Sequence, residues 1–342
     1  MTTRDAMAKK TLAKIEKLAM SVVRDIQKKK NPQIQIPLRT LSNIHYSAKK
    51  KIIELGKEKQ ERTFFNVSQA RKFMQTFLVA SACKELLESG KTTSIRDLYY
   101  MTKHTLGNSR QNTFEEQDES DPIIEDLEVT LDALREELHL FANRKGLMVG
   151  PMTIVDSGDT IDLRRQGSGG WGVPSIVEPN VIKFGKHEAK YVLLVEKEAV
   201  WSRFNEDKFW KKEKCMLIHG GGQPPRGVRR LVHRMHKELK LPVYVLVDND
   251  PWGFYIYSVV KQGSINLAYE SMRMAVPKAR FVGISSLDAE RYGIPEETAI
   301  RMDEGDHRRI KQMLEYPWFQ HKKWTAPRSG PGAEPGHRAA DL

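Results

Sequence analysis

The sequence predicts an α+β protein of several domains. A helical arm comes first, a helix-rich domain that ends in a hairpin follows, and an α/β domain with a parallel sheet comes last. Three patterns predict this order: residues 1–66 space apolar side chains helically among lysines, residues 67–165 combine helical segments with a hairpin signal, and residues 166–324 alternate apolar strands with helices. Residues 325–342 are rich in Gly, Pro, Arg and Ala, and we expect a disordered tail or one added for expression.

The bulk composition is typical of a soluble globular protein inside the cell. Hydrophobic residues make up 39% of the chain, charged residues 29%, and the formal net charge is +12. No apolar run reaches the roughly 20 residues that a membrane span requires, and the N-terminus lacks the apolar segment of a signal peptide. The two cysteines, Cys83 and Cys215, give no disulfide framework, which is typical of a reducing cytosol.

Positive charge is concentrated in the N-terminal arm. Residues 1–62 carry sixteen Lys or Arg against six Asp or Glu, whereas residues 114–138 hold eleven acids and one Arg. Because lysine and arginine neutralise phosphates and release counterions, this imbalance favours a polyanionic partner such as nucleic acid. A solvated arm that only keeps the protein soluble stays open as an alternative. Residues 7–30 have helical spacing, and residues 43–62 are also predicted to be helical.

The second domain is predicted to be a winged helix. Its three helical segments and two strands are, in order, Ser68–Gly90, the segment that Ser94 opens, Asp121–Lys145, Leu147–Val155 and Thr160–Leu163. The dipeptide Ser157-Gly158 followed by Asp159 lies between the strands and indicates a hairpin turn. Three helices followed by a hairpin make a winged helix, a fold that often binds DNA but in many proteins binds only protein.

The third domain is predicted to be a doubly wound parallel sheet, because strands alternate with helices. The predicted strands are Tyr191–Val195, Cys215–His219, Val243–Val247 and Phe281–Ile284. In such sheets the working groups lie at the carboxyl ends of the strands. The glycine-rich run 167–172 matches a dinucleotide-binding spacing, but prolines follow it and no helix starts there, so we expect no nucleotide site.

Three acids stand where these strands end. Glu196 follows the first strand, Asp248 follows the third, and Asp250 lies two residues further on. If the first and third strands are neighbours, the three carboxylates meet at one edge and would repel one another without a cation. Hard oxygen ligands of this kind suit Mg²⁺. The alternative is that each acid caps the helix after its strand, which is common.

A tyrosine pair lies on the helix that Ser94 opens, with Asp97 as its capping partner. Residues three and four apart share a helix face, so Tyr99 belongs to an inward apolar stripe and Tyr100 to a basic face. The inward residues are Ile95, Leu98, Tyr99 and Thr102, and the outward ones are Arg96, Tyr100, Lys103 and His104. Neighbouring cations favour the phenolate and can hold a phosphodiester, which makes Tyr100 a candidate nucleophile. An ordinary surface tyrosine stays open as the alternative.

These elements together resemble a known family. The resemblance rests on the Ser-x-Arg-Asp-x-Tyr-Tyr segment, the Val-Glu-Lys-Glu-Ala strand end and the Val-Asp-Asn-Asp-Pro-Trp-Gly run, in this order. They resemble the A subunit of topoisomerase VI and its eukaryotic relative, the meiotic double-strand-break protein. Gly222-Gln223-Pro224 with Arg229, and the later Tyr292-Gly293-Ile294-Pro295, also fit that family. The resemblance covers about residues 68–324.

The resemblance implies that a winged-helix domain carries the nucleophile and a toprim domain binds Mg²⁺. By position the nucleophile is Tyr100, its supporting arginine is Arg96, and the metal ligands are Glu196, Asp248 and Asp250. The residues expected to contact DNA are Lys103, His104, Arg164, Arg165, Lys197 and Arg229. The implied partners are double-stranded DNA, a second copy of the chain and an ATPase B subunit, in a heterotetramer of two copies of each. Each active site is then shared between the two copies of this chain.

The resemblance further implies transient double-strand breaks through a 5′-phosphotyrosyl intermediate, and relaxation and decatenation of DNA. We expect a cytoplasmic protein of the archaeal type that associates with the nucleoid. Two other classes remain open: a non-catalytic winged-helix protein that binds DNA or acts as a scaffold, and a toprim nuclease or primase without a covalent intermediate.

Overall fold

The computed structural model describes residues 3–283, 285, 288 and 291–320, and side chains 3–6 and 296 are excepted. The predicted tail at 325–342 lies outside the described residues. The chain divides into two compact units. The first unit comprises Met1–Ile44, Leu55–Arg144 and Pro174–Glu178, and the second comprises His45–Glu54, Lys145–Val173 and Pro179–Leu342. None of the helices in the described ranges is long and apolar enough to cross a membrane.

The N-terminal segment begins with helix α1 (Thr3–Gln27), as predicted. Strand β1 (Gln33–Pro37) follows, then the paired strands β2 (Ile44–Ser47) and β3 (Ile52–Leu55), and β4 (Lys59–Thr63), which is antiparallel to β1. The predicted helix over residues 43–62 is therefore wrong. The β-branched pair Ile52-Ile53 is buried in β3, and the Asn43 side chain bonds Leu38 O, Glu58 O and the Glu58 N–H, which holds the chain in a turn.

The first unit is built around helix α2 (Val67–Ser89), which ends at Gly90 in the left-handed conformation, as predicted. The short strand β5 (Thr93–Ser94) leads into helix α3 (Ile95–Thr102), and helix α4 (Ser120–Leu131) and strand β6 (Leu140–Phe141) follow. The core of buried side chains in this unit includes Val79, Cys83, Leu86, Leu98, Phe114, Ile124, Leu127 and Leu138. Helix α1 packs into this core through Ile15, which is 4% exposed, so the helix is no detached arm.

The predicted helix over Asp121–Lys145 is confirmed only in its first half. Helix α4 ends at Leu131 because Asp132 adopts a left-handed φ of 45°, and its N–H closes the last turn on Glu128 O and Val129 O. A 3-10 turn over Arg135–Leu138 then replaces the helix. The acidic character of this stretch remains, but its backbone is mostly irregular.

The second unit starts with strands β7 (Leu147–Val149), β8 (Met152–Asp156) and β9 (Asp159–Asp162), followed by β10 (Trp171–Gly172) and β11 (Ile182–His187). The predicted strand Leu147–Val155 is divided into β7, which pairs with a strand of another sheet, and β8. Strands β8 and β9 form the predicted hairpin, with Asp156 opposite Asp159, and β11 adds a third strand to it. This hairpin belongs to the second unit, whereas the three helices belong to the first. The winged helix therefore stays a prediction.

The remainder of the second unit alternates strands and helices as predicted. The elements are β12 (Tyr191–Val195), α5 (Glu198–Glu206), α6 (Phe209–Lys212), β13 (Cys215–His219), α7 (Arg226–Glu238), β14 (Val243–Leu246), α8 (Pro251–Gln262), α9 (Ser271–Met274), β15 (Arg280–Gly283) and α10 (Glu304–Glu315). Within the described residues, six strands form one sheet in the order β10-β7-β13-β12-β14-β15, with β13, β12, β14 and β15 parallel. Ile284, predicted to close the last strand, lies outside the described residues.

Candidate active-site residues

Helix α3 presents Tyr100 to solvent. Ser94 caps the helix by accepting from the Asp97 N–H at 3.0 Å, and its hydroxyl donates to the Asp97 carboxylate at 2.8 Å. Leu98, Tyr99 and Thr102 are buried, whereas the Tyr100 side chain is 57% exposed. The predicted helix phase is therefore confirmed: Tyr99 faces the core and Tyr100 faces outward.

Tyr99 is anchored on both sides of its hydroxyl. The hydroxyl donates to Glu115 O at 2.8 Å and accepts from the Lys103 ammonium group at 2.7 Å. Its ring lies 5.0 Å from the Tyr100 ring, centroid to centroid, at 58°. The exposed tyrosine thus stands beside a neighbour that cannot easily turn.

The predicted basic face around Tyr100 is only partly available. Arg96 and His104 are exposed. Lys103 is half-buried, because its ammonium group also donates to Glu115 O at 2.9 Å, and the hydrogen bond to Tyr99 raises the pKa of Lys103. The helical spacing predicts an outward Lys103. It cannot reveal the hydrogen bond to Glu115 O, because Glu115 lies beyond the end of helix α3.

In the second unit, Glu196 and Asp248 meet at the carboxyl edge of the sheet. Strands β12 and β14 are neighbours, as the predicted meeting of the carboxylates requires. The Glu196 N–H donates to Leu246 O at 3.0 Å. The Asp248 N–H donates to the Glu196 carboxylate at 3.1 Å. Burial raises the pKa of Glu196, and the charges of Asp248 and Asp250 add to that effect.

Lys197 lies against this pair of carboxylates. Its ammonium group is 2.5 Å from the Asp248 carboxylate, and this contact raises the pKa of Lys197. The predicted DNA contact of Lys197 therefore competes with an ion pair, although the side chain is 60% exposed. The Lys197 ammonium group therefore offsets one negative charge at this edge, that of Asp248.

Asp250 points toward the next helix. Its carboxylate caps α8 by accepting from the Gly253 N–H at 2.6 Å. No three His, Cys, Asp or Glu side chains among the residues that the structure describes are grouped as a metal site. The structure therefore brings Glu196 and Asp248 together, and gives Asp250 the helix-capping role that is the alternative to metal binding.

The loop after β13 also borders the acid cluster, and sequence reasoning gave it no role. The Gly222 N–H donates to Glu196 O at 3.1 Å, and the Gly221 N–H donates to the His219 Nδ1 at 3.1 Å. The imidazole of His219 is 3% exposed, and its Nε2 has no hydrogen-bond partner within the described part of the chain. Burial lowers the pKa of His219. The sequence signal that points to this loop is the run of glycines directly after the buried strand β13.

Three arginines predicted to contact DNA differ in their surroundings. Arg229 is 4% exposed and its pKa is lowered to about 10, chiefly by burial, so its position argues against direct contact with DNA. Arg164 is half exposed but pairs with Asp162 at 2.8 Å. Arg165 is 87% exposed and lies 3.9 Å from the same carboxylate.

Comparison with known proteins agrees with these features. Residues 191–328 match the family model that describes the Toprim domain of the topoisomerase 6 A subunit/Spo11 family, and residues 71–140 match the model of type IIB DNA topoisomerase. The chain is 44% identical over 324 residues to the A subunit of type 2 DNA topoisomerase 6 from Pyrococcus abyssi, covering 92% of this chain and 84% of that protein.

Two more distant relatives extend the comparison. The A subunit of type 2 DNA topoisomerase 6 from Methanothermobacter thermautotrophicus is 33% identical over 91% of this chain and 86% of its own length. The A3 subunit of DNA topoisomerase 6 from Oryza sativa is also 33% identical, over 92% of this chain and 69% of its own length. On these matches, the chain belongs to the family of type IIB DNA topoisomerase A subunits.

Proposed function

We propose that this chain is the DNA-cleaving subunit of an ATP-dependent type II topoisomerase, which makes transient double-strand breaks through a tyrosine ester. The observation that carries the proposal is the exposed Tyr100 beside the anchored Tyr99 on helix α3. A nucleophile that must reach a phosphodiester within a bulky duplex needs a phenol that solvent, and hence DNA, can approach. The names of the curated relatives support the same activity.

The reaction would be a transesterification. The Tyr100 oxygen attacks a backbone phosphorus and loses its proton, while the bond from phosphorus to the 3′ oxygen breaks and that oxygen gains a proton. A 5′-phosphotyrosyl bond and a free 3′-hydroxyl result. The reverse attack reseals the strand without a nucleotide, because the ester conserves the bond energy. Arg96, exposed one turn before Tyr100, would hold a non-bridging phosphate oxygen.

The acid cluster fits a divalent cation. The backbone N–H of Asp248 donates to the Glu196 carboxylate, and Glu196 carries a raised pKa because it is buried among like charges. Glu196 and Asp248 would hold Mg²⁺, with Asp250 as the third ligand if it leaves its capping position. The ion would offset negative charge on the phosphate. Lys197 would then give up Asp248 and could turn toward the DNA backbone.

The proposed partners are double-stranded DNA, a second copy of this chain, and an ATPase B subunit. The assembled enzyme would relax and decatenate DNA. ATP would drive gating through the B subunit. We place the contact with the B subunit on helix α1, where Met20, Val23 and Ile26 expose 51%, 39% and 58% of their surface. Their spacing of three residues aligns them along one face of the helix.

The test of the proposal is covalent trapping. The purified chain, with its B subunit, Mg²⁺ and a supercoiled plasmid, is denatured rapidly with detergent and then separated from free DNA. We expect DNA linked to the protein at its 5′ ends. Cleaved DNA that carries no protein would favour a toprim nuclease. DNA that is bound but never cut, under conditions in which a known relative cuts, would favour a non-catalytic scaffold.

A further inference from the structure

The β2–β3 hairpin carries a concentrated positive charge. Its tip consists of Ala48 and the three consecutive lysines Lys49, Lys50 and Lys51, all exposed. Lys50 pairs with Glu54 at 2.6 Å. Lys49 and Lys51 make no ion pair with any residue that the structure describes. Two of the three ammonium groups are therefore available to a partner.

The hairpin is held firmly at its base and at its turn. Ile52 is 3% exposed and Ile53 is fully buried. Ile53 packs close to Gly263, where an added Cβ would lie 3.2 Å from the Ile53 side chain. The backbone of Lys51 adopts a positive φ of 59°, and its N–H donates to Ser47 O at 2.6 Å, which closes the turn. An anchored tip loses less conformational entropy on binding than a free tail would.

We propose that this lysine tip binds the phosphate backbone of the duplex that the enzyme cuts. The proposal rests on the proposed function. The tip offers point charges and exposes only Ala48 as an apolar residue, whereas protein interfaces favour aromatic residues and arginine and are depleted in lysine. Lysines without a carboxylate partner suit phosphates, whose neutralisation releases counterions. Residues 45–54 also belong to the same compact unit as Glu196 and Asp248.

The experiment replaces Lys49, Lys50 and Lys51 with Ala in the full chain. Binding of a short duplex is measured by fluorescence anisotropy in EDTA across a salt series. Each phosphate contact contributes about 0.9 to the slope of log K against log salt, so we expect the loss of the two available lysines to make the slope shallower by about 1 to 2. The matched control replaces Lys208, Lys211 and Lys212, three exposed lysines of the same unit, and changes the net charge equally.

The outcomes separate the tip from the function. A slope that falls for the hairpin variant and stays near the wild-type value for the control supports the proposal. An unchanged slope in the hairpin variant, or an equal fall in both variants, overturns it, and so does a loss confined to assembly with the B subunit. Covalent trapping at Tyr100 is measured separately. A negative result for the lysine tip therefore does not contradict the proposed cleavage activity. Both variants are checked for unchanged thermal unfolding.

Discussion

The Lys103 ammonium group donates a hydrogen bond of 2.7 Å to the Tyr99 hydroxyl, and the Tyr99 ring lies 5.0 Å from the ring of Tyr100, centroid to centroid. The two adjacent tyrosines therefore have different roles. Tyr99 holds α3 to the segment at Glu115 through its hydroxyl. Tyr100 has no such role in the core, so its hydroxyl is available for chemistry.

We expect Tyr100→Phe to abolish covalent attachment to DNA and Tyr99→Phe to retain it. The Tyr99 variant should lose about 1 to 2 kcal/mol of stability, because two part-buried hydrogen bonds of its hydroxyl are removed. Covalent trapping and thermal unfolding measure the two effects. Mapping of the DNA-linked peptide to Tyr99 would reverse the assignment.

Lys103→Met should leave the salt dependence of DNA binding almost unchanged, because the ammonium group already serves Tyr99 and Glu115. Its cost should appear as a lower temperature of thermal unfolding, because two hydrogen bonds are lost. Replacement of the exposed Arg96 by Met gives the comparison, since it should reduce cleavage with little change in unfolding. A slope shallower by about 1 in the Lys103 variant would restore Lys103 as a phosphate contact.

Glu196→Gln and Asp248→Asn should each reduce cleavage by more than about 100-fold, since loss of a ligand exceeds the cost of disturbing its supporting shell. DNA binding should persist, because removal of a carboxylate does not weaken attraction to phosphate. Glu198→Gln, an exposed acid two residues further on, is the matched control. Cleavage that continues in EDTA would contradict the metal role.

Asp250 offers a sharper test, because capping and metal binding respond differently to asparagine. Asparagine caps a helix as well as aspartate does, so Asp250→Asn should retain stability, whereas Asp250→Ala should cost about 1 kcal/mol. If Asp250 also binds the cation, both variants should lose cleavage. An Asn variant with wild-type cleavage would restrict Asp250 to the cap observed at Gly253.

Val23→Glu and Ile26→Glu should weaken assembly with the B subunit by more than tenfold, about 1.4 kcal/mol, since burial of a new charge opposes docking. DNA binding by this chain alone should change little. Met272→Glu, an equally exposed apolar site in the second unit, is the control. Point substitutions are preferable to deletion of residues 1–62, because Ile15 lies in the core. A DNA-binding defect without an assembly defect would instead indicate a DNA arm.

Mixing a Tyr100→Phe chain with a Glu196→Ala chain should restore nicking of one strand. Cutting both strands takes two attacks, and one chain offers one candidate nucleophile, so we expect a symmetric dimer with shared sites. The mixed dimer then has one site with both defects and one intact site. Tagged copies purified in tandem verify that mixed dimers form. If such dimers stay inert, each site lies within one chain.

Much of the site could be predicted because its signals are local. The 3.6-residue period of α3 separates Tyr99 from Tyr100, and apolar runs ending in Glu196 and Asp248 mark parallel strands. Long-range contacts could not be predicted. The helix expected over residues 43–62 is replaced by strands that tertiary packing stabilises, and Arg229 is buried by packing that its own helix does not reveal.

The hairpin at residues 45–54 has a consequence for how the chain folds during synthesis. The hairpin belongs to the same compact unit as residues from Lys145 onward. These residues are synthesised at least 90 residues after Glu54. Until Gly263 leaves the ribosome, Ile53 lacks this neighbour and stays open to chaperones and to aggregation. A fragment that begins at Lys145 would likewise lack this packing, so the second unit should be expressed with its N-terminal piece supplied.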